Sequence, residues 1–136
     1  MKFKEEMIGS DSFSTTSKFD LHVHSKYSYD SRSELIDLIK ISKKRGLTGI
    51  SISDHNTAKG GLKGSALTKH DDSFSIIPSI EISTQFGHVI LMFVKEEVQT
   101  RDFYEVMDIS RSDDLISLFP HPYRSRKRYR HEVANN

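Results

Sequence analysis

Five histidines sit in short motifs that could assemble one polar site: His22 and His24 in "DLHVHSKYSYDS", His55 in "SISDHN", His88 in "GHVILMFV" and His121 in "FPHPY". The chain holds seven histidines and no cysteine, so any metal must be held by His, Asp and Glu rather than by thiolates. Alternate side chains of a strand share a face, so Asp20, His22 and His24 should point the same way. Two imidazoles on one face can share an ion, and Asp20 could orient one of them from behind. Asp54 and His55 are expected just past the end of a second strand, the edge where α/β proteins concentrate their chemistry. His24 and Asp30 come at the same end of the first strand. Glu81 lies near the end of a third, with His88 across a tight turn. A proline on each side of His121 stiffens its backbone. These five histidines thus converge on one rim with Asp30, Asp54 and Glu81. Imidazoles with a few carboxylates suit Zn, Mn or Fe, and a carboxylate can bridge two ions. Paired ions activate water and clamp phosphoryl oxygens, which points to hydrolysis of a phosphate ester. No H-E-x-x-H, G-x-x-x-x-G-K-[ST] or G-x-S-x-G pattern competes with that reading.

The elements that must carry these residues follow an α/β order. A short strand is expected over 19–23, then a helix over 33–45 with apolar Leu35, Ile36, Leu38 and Ile39. Ser31 and Glu34 have capping-box spacing at its start, with Ser33 as a rival cap, and Gly46 is a stop. A β-branched strand covers 47–53. The glycines of "NTAKGGLKGSALTKHDD" argue for a loop and weak helix, with "GGLKGS" as a mobile loop. Strands at 74–83 and 88–94 are separated by only "TQFG", too short for a parallel crossover, so they form a hairpin or one sharply bent strand. A helix near 100–110 leads to a last strand over 115–119. The near-continuous apolar character of "HVILMFV" suggests burial on both faces, as in a barrel or covered sheet.

The chain has 136 residues, enough for one domain, and 20 basic against 19 acidic residues leave no global field favouring nucleic acid or membrane. No apolar run approaches a membrane span, and a cytoplasmic protein is the default expectation. The first 18 residues are polar and read as a flexible leader.

Taken in order, D-x-H-x-H (20–24), S-D-H (53–55), I-E-I-S followed by G-H (80–83 and 87–88) and H-P (121–122) resemble the polymerase and histidinol phosphatase (PHP) family. The resemblance covers roughly residues 19–123. It implies an α/β fold, the N-terminal part of a distorted (β/α)7 TIM-like barrel, and a metal-dependent phosphoesterase using two to three divalent ions. Position by position, it implies that His22, His24 and Glu81 bind a first ion. Glu81 would bridge to a second completed by His88 and His121, and Asp30 and His55 would bind a third. The catalytic constellation is then Glu81, His22 and His24, with Asp20 behind them. Two departures stand out. The turn "YSYDS" is one residue longer than the family's S-D-G form, and the family's closing D-x-H motif is absent. The expected organisation is therefore a leader over 1–18 and a PHP domain over 19–136, incomplete at its C-terminus.

A phosphorylated small molecule or nucleotide is the expected substrate. The rival reading is a non-catalytic PHP-like module that binds metal or associates with nucleic acid. The basic run "RSRKRYR" over 124–130 would then contact phosphates, although a solvated loop or helix start is the simpler account of it. Within this run Arg124 or Arg126 could instead grip a substrate phosphate.

Overall fold

The computed structural model describes residues 16–122. Most of the expected leader, and the basic run with Arg124 and Arg126, lie outside the described residues. The chain order is β1 (Phe19–Val23), α1 (Leu35–Lys44), β2 (Gly49–His55), α2 (Lys59–Leu67), β3 (Ser75–Thr84), β4 (Gly87–Met92), α3 (Phe103–Ser112) and β5 (Ile116–Leu118). The strands form a curled, half-barrel sheet of mixed direction in the order β1-β2-β3-β4-β5. β1, β2 and β3 run parallel, with β2 and β3 each reached through a helical crossover. β4 turns back on β3 as an antiparallel hairpin closed at Thr84 and Gly87, and β5 pairs antiparallel with β4. Of the two sequence alternatives for 74–94, the hairpin is therefore the one adopted.

α1 forms where apolar residues recur at helical spacing. Leu35, Leu38 and Ile39 pack against Ile50 and Ile52 of β2, and with Phe74 and Ile76 they form one apolar cluster. Its start differs from the capping box read from the sequence. The helix begins after Glu34 with no side-chain cap, and the Ser31 hydroxyl instead donates to the carbonyl of His24 at 2.9 Å. The serine thus stabilises the turn that carries site residues. The helix ends as expected, at Gly46 with φ +77°.

Where the glycines suggest a loop and weak helix, with 60–65 mobile, the chain forms the nine-residue helix α2. Gly60, Gly61 and Gly64 are all buried on the face of the helix that meets the sheet. A Cβ on Gly61 would stand 2.7 Å from the backbone nitrogen of Ser79, and one on Gly60 would stand 2.0 Å from an Asp54 carboxylate oxygen. The helix needs glycine because its backbone lies directly on β2 and β3, a gain in packing that outweighs the low helix propensity. A second apolar cluster joins Ile80 and Ile82 of β3, Val89 and Leu91 of β4, and Phe103 and Val106 of α3. α3 starts at Asp102, whose carboxylate accepts from the backbone N–H groups of Tyr104 and Glu105. These two clusters lock the strands from which the polar rim projects.

Candidate metal centre

β2 runs two residues further than its apolar pattern suggests, so Asp54 and His55 are its last two residues and face opposite ways. His55 pairs in register with Glu81 of β3, which brings both to the same rim. Across the hairpin, Ser83 pairs with His88, placing that histidine beside the same rim. His22 and His24 arrive from β1 and the residue after it, and His121 from the segment after β5.

Glu81 is wholly buried, and all five of these histidines point a ring nitrogen at its carboxylate. Oε2 lies 3.0 Å from His22 Nε2, 2.8 Å from His24 Nε2 and 3.5 Å from His55 Nδ1. Oε1 lies 2.7 Å from His88 Nδ1 and 3.8 Å from His121 Nε2. The two oxygens therefore serve different sets of imidazoles. The rings themselves make a closed circuit, with neighbouring centroids 5.0 Å (His22–His24), 4.6 Å (His24–His55), 5.2 Å (His55–His88), 6.1 Å (His88–His121) and 5.3 Å (His121–His22) apart.

Asp30 reaches the cluster despite the lengthened turn. Both of its oxygens lie 3.0 Å from His24 Nδ1, and one lies 3.3 Å from His55 Nε2. Ser28 fixes it: the hydroxyl donates to Asp30 at 2.6 Å and accepts the backbone N–H of His55 at 3.2 Å. The turn is thereby tied to the end of β2.

Two carboxylates are placed differently from the sequence reading. Asp20 does not reach an imidazole; its carboxylate accepts the backbone N–H of His22 at 3.1 Å, and the pairing of β1 with β2 is irregular just beyond it. The carboxylate behind a site histidine is Asp30. Asp54 does not join the rim either. It is buried on the other side of β2, where it accepts the N–H of Ser25 at 2.6 Å and the Ser25 hydroxyl at 2.7 Å. Simple alternation accounts for this once β2 is seen to include both residues.

Asn56 is a residue the sequence reading passed over. It takes the left-handed conformation, φ +54°, directly after His55. Its N–H donates to the Glu81 carbonyl at 2.8 Å, and its side-chain oxygen accepts the N–H of Ser83 at 3.0 Å. It clamps the ends of β2 and β3 together, and so fixes His55 relative to Glu81. The signal was available, since an asparagine just after a strand suits a positive φ.

The electrostatics follow from this packing. Burial alone would raise the Glu81 pKa, but hydrogen bonds from His22, His24 and His88 outweigh it and hold the carboxyl well below its ordinary range. His24 is raised, chiefly by its hydrogen bond to Glu81, with burial opposing and Asp30 assisting. Burial lowers His55. Burial acts to raise Asp30, but its bonds to Ser28 and His24 overcome this and hold it lowered.

Divalent cations fit this donor set. His55 Nδ1 is buried without a hydrogen-bond partner, although it faces Glu81. If His24 donates its Nδ1 proton to Asp30, its neutral Nε2 carries a lone pair aimed at Glu81 and 3.0 Å from His22 Nε2. Lone pairs crowded in this way repel one another unless a proton or a cation lies between them. Three groups have ligand atoms close enough to hold an ion: His22, Glu81 and His121; His24, Asp30 and His55; and His55, Glu81 and His88.

The PHP domain family matches residues 20–132. The chain belongs to this family. Among relatives of this PHP domain, the uncharacterized protein MJ1587 of Methanocaldococcus jannaschii is 31% identical over 117 residues, covering 78% of this chain and 68% of the relative. MJ0417 of the same organism, also uncharacterized, is 34% identical over 112 residues, covering 82% of this chain and 42% of the relative. Among solved structures, an amidohydrolase from Chromobacterium violaceum with bound sulfate and no metal aligns with a TM-score of 0.48 and 21% identity, over 56% of this chain and 28% of that one. The PHP domain thus spans about two thirds of one curated relative and less than half of the other. No described helix is long and apolar enough to cross a membrane.

Proposed function

We propose that this PHP domain hydrolyses phosphate esters, using two to three divalent ions (Zn, Mn or Fe) held by His22, His24, Asp30, His55, Glu81, His88 and His121. The observation that carries the reading is the position of Glu81. One buried carboxylate presents one oxygen to His22 and His24 and the other to His88 and His121. That is the arrangement expected of a ligand shared between two ions. Ions bound there would supply an acidified water and positive charge beside the phosphoryl oxygens.

The protein's own side chains do the holding and aiming. With its Nδ1 proton donated to Asp30, His24 would present Nε2 as the lone-pair donor. Ser28 and Asn56 fix Asp30, His55 and Glu81 against the strand ends. The substrate would be a phosphorylated small molecule or nucleotide approaching the half-exposed His22, His88 and His121 side of the cluster.

The test is release of inorganic phosphate from a generic aryl phosphate by chain reconstituted with Mn or Zn. Turnover should vanish on chelation, return on adding the ion back, and be lost in Glu81→Gln. Metal-loaded chain that releases no phosphate, or turnover indifferent to Glu81, would overturn the proposal.

A further inference from the structure

One step below Glu81, the face of the sheet that carries the metal centre is lined with serine. Ser51, Ser53 and His55 alternate along β2 and share one face, as Ser79 and Glu81 do on β3. All three serines are wholly buried. The Ser51 hydroxyl donates to Ser79 Oγ at 2.8 Å, so these residues of the two strands lie on the same side of the sheet. The Ser53 hydroxyl, by contrast, is buried without a hydrogen-bond partner. A stranded hydroxyl is unfavourable in a protein interior, and alanine would fill the same space without one. Its presence calls for an acceptor that is engaged elsewhere in this arrangement of the site.

The strand register singles out that acceptor. Ser51 stands opposite Ile77, Ser53 opposite Ser79 and His55 opposite Glu81. Ser51 nevertheless bonds to Ser79, two residues beyond its own opposite number, so side chains on this face meet along a diagonal. Carried two residues further along both strands, the same diagonal joins Ser53 to Glu81. The Glu81 carboxylate is engaged with Nε2 of His22, Nε2 of His24 and Nδ1 of His88. An ion seated among these groups would claim the same nitrogens. A ring nitrogen that gives its lone pair to an ion has no proton to donate. Loading the site therefore strips Glu81 of its imidazole donors, and a carboxylate shared by two ions still has lone pairs to fill.

We infer that Ser53 is a positioning residue for Glu81: with ions bound, its hydroxyl donates to the Glu81 carboxylate and holds it in the orientation that serves both. This rests on the reading of Glu81 as a shared ligand given above, and it adds no contact to the ions themselves. A serine hydroxyl moves between staggered positions about χ1, so it can take up this partner without movement of the strand. Ser53 and Ser79, opposite each other on adjacent strands, then differ in role. Ser79 ties the sheet together through Ser51, whereas Ser53 is a donor held for the loaded site.

Two readouts on the full chain test this. Zn and Mn affinities are measured by competition with a chelating indicator, and the stability of metal-free chain by urea unfolding. Ser53→Ala should bind the ions roughly tenfold more weakly, the low end of what an outer hydrogen-bonding partner contributes. Its metal-free form should be at least as stable as wild type, because alanine strands no hydroxyl. Ser79→Ala should do the reverse: it strands the Ser51 hydroxyl, lowers the urea midpoint and leaves ion affinity near wild type. Ser53→Thr and Ser53→Val share a shape and differ in the hydroxyl, so the threonine variant should bind ions more tightly than the valine variant. Ion affinity unchanged in Ser53→Ala would overturn the inference. So would a metal-free Ser53→Ala chain that unfolds more readily than wild type, since the hydroxyl would then have a partner before any ion arrives. Wild-type chain that takes up neither Zn nor Mn would overturn the shared-ligand reading and the inference with it, whereas wild type that binds ions no better than Ser53→Ala overturns the inference alone.

Discussion

Two wholly buried carboxylates lie on neighbouring strands of this sheet and are treated in opposite ways. Glu81 faces five imidazoles, and its pKa is lowered because hydrogen bonds from three of them overcome its burial. Asp54, on the other face of β2, has a hydroxyl and a backbone N–H from Ser25 for company, with the Gly60 backbone pressed against it. There burial wins, and its pKa is raised. Equal burial therefore says nothing about role. The Glu81 side is a ring of groups with lone pairs to offer, whereas the Asp54 side is a buttress that anchors the residue following His24. The first is built to receive cations and the second to hold the backbone still.

The largest expected effect that tests this contrast is on metal content. Glu81→Gln should lose affinity by more than the roughly 10–100-fold typical of an outer hydrogen-bonding partner, and should abolish cooperative uptake. Asp30→Asn should weaken one site only. Elemental analysis after dialysis at graded free-metal concentrations would show it, and equal losses in the two variants would remove the bridging role.

Next in size is a loss of stability without loss of metal. Asp54→Ala strands the N–H and hydroxyl of Ser25, which should cost about 2–3 kcal/mol in urea unfolding of the metal-free chain. Metal stoichiometry should persist where the variant is folded. A fall in metal content as deep as that of Glu81→Gln would merge the two regions into one site.

The smallest effect is a difference in pH slope. Glu81 is held below its ordinary 4.5, so it contributes stability above that value, which is lost as pH falls through the lowered folded pKa. Asp54 is raised above its ordinary 3.8, so its contribution is complete below 3.8 and is lost as pH rises through the raised value. In metal-free chain, the wild-type advantage over Glu81→Gln should shrink with acid. Asp54→Asn should gain on wild type as pH rises through the upper window. Unfolding curves at a series of pH values would reveal slopes of the same sign if the two carboxylates were alike. Metal uptake itself should weaken below about pH 6.5, where protons compete for free imidazoles. For His24, whose pKa is raised, that competition begins at higher pH.

The sequence made the strands legible because their β-branched runs are long and bounded by turn residues. The motifs D-x-H-x-H, S-D-H and G-H mark the ends of those strands, which is why the five histidines could be placed on one rim. What it hid were matters of a single residue. Whether β2 stops at Ser53 or His55 decides on which face Asp54 lies, and the ladder to β3 settles that rather than local propensity. The glycines of α2 look like helix breakers until the sheet backbone against them is seen. Ser31 has the right spacing for a cap, but a tertiary bond to His24 competes for it. The turn that carries Tyr29 can be read from the sequence, yet nothing in the chain order says that this ring will settle on His55.

His22 and His121 come from opposite ends of the sheet order. Among the described residues β1 and β5 share no ladder, yet the two rings are 5.3 Å apart. The curl has brought the borders of the sheet together at one corner, where imidazoles meet rather than backbone amides. An ion gripped by both would act as a rivet across an open seam, doing at a single point what hydrogen bonds do along a ladder. Its binding energy would add to folding stability by mass action, so resistance to unfolding would rise with the free-ion concentration. The gain should be concentrated at the borders: amide exchange should slow in β1 and β5 on metal loading and change least in β2 and β3, which lie between paired neighbours. In this molecule, ion supply would set how tightly the sheet stays shut.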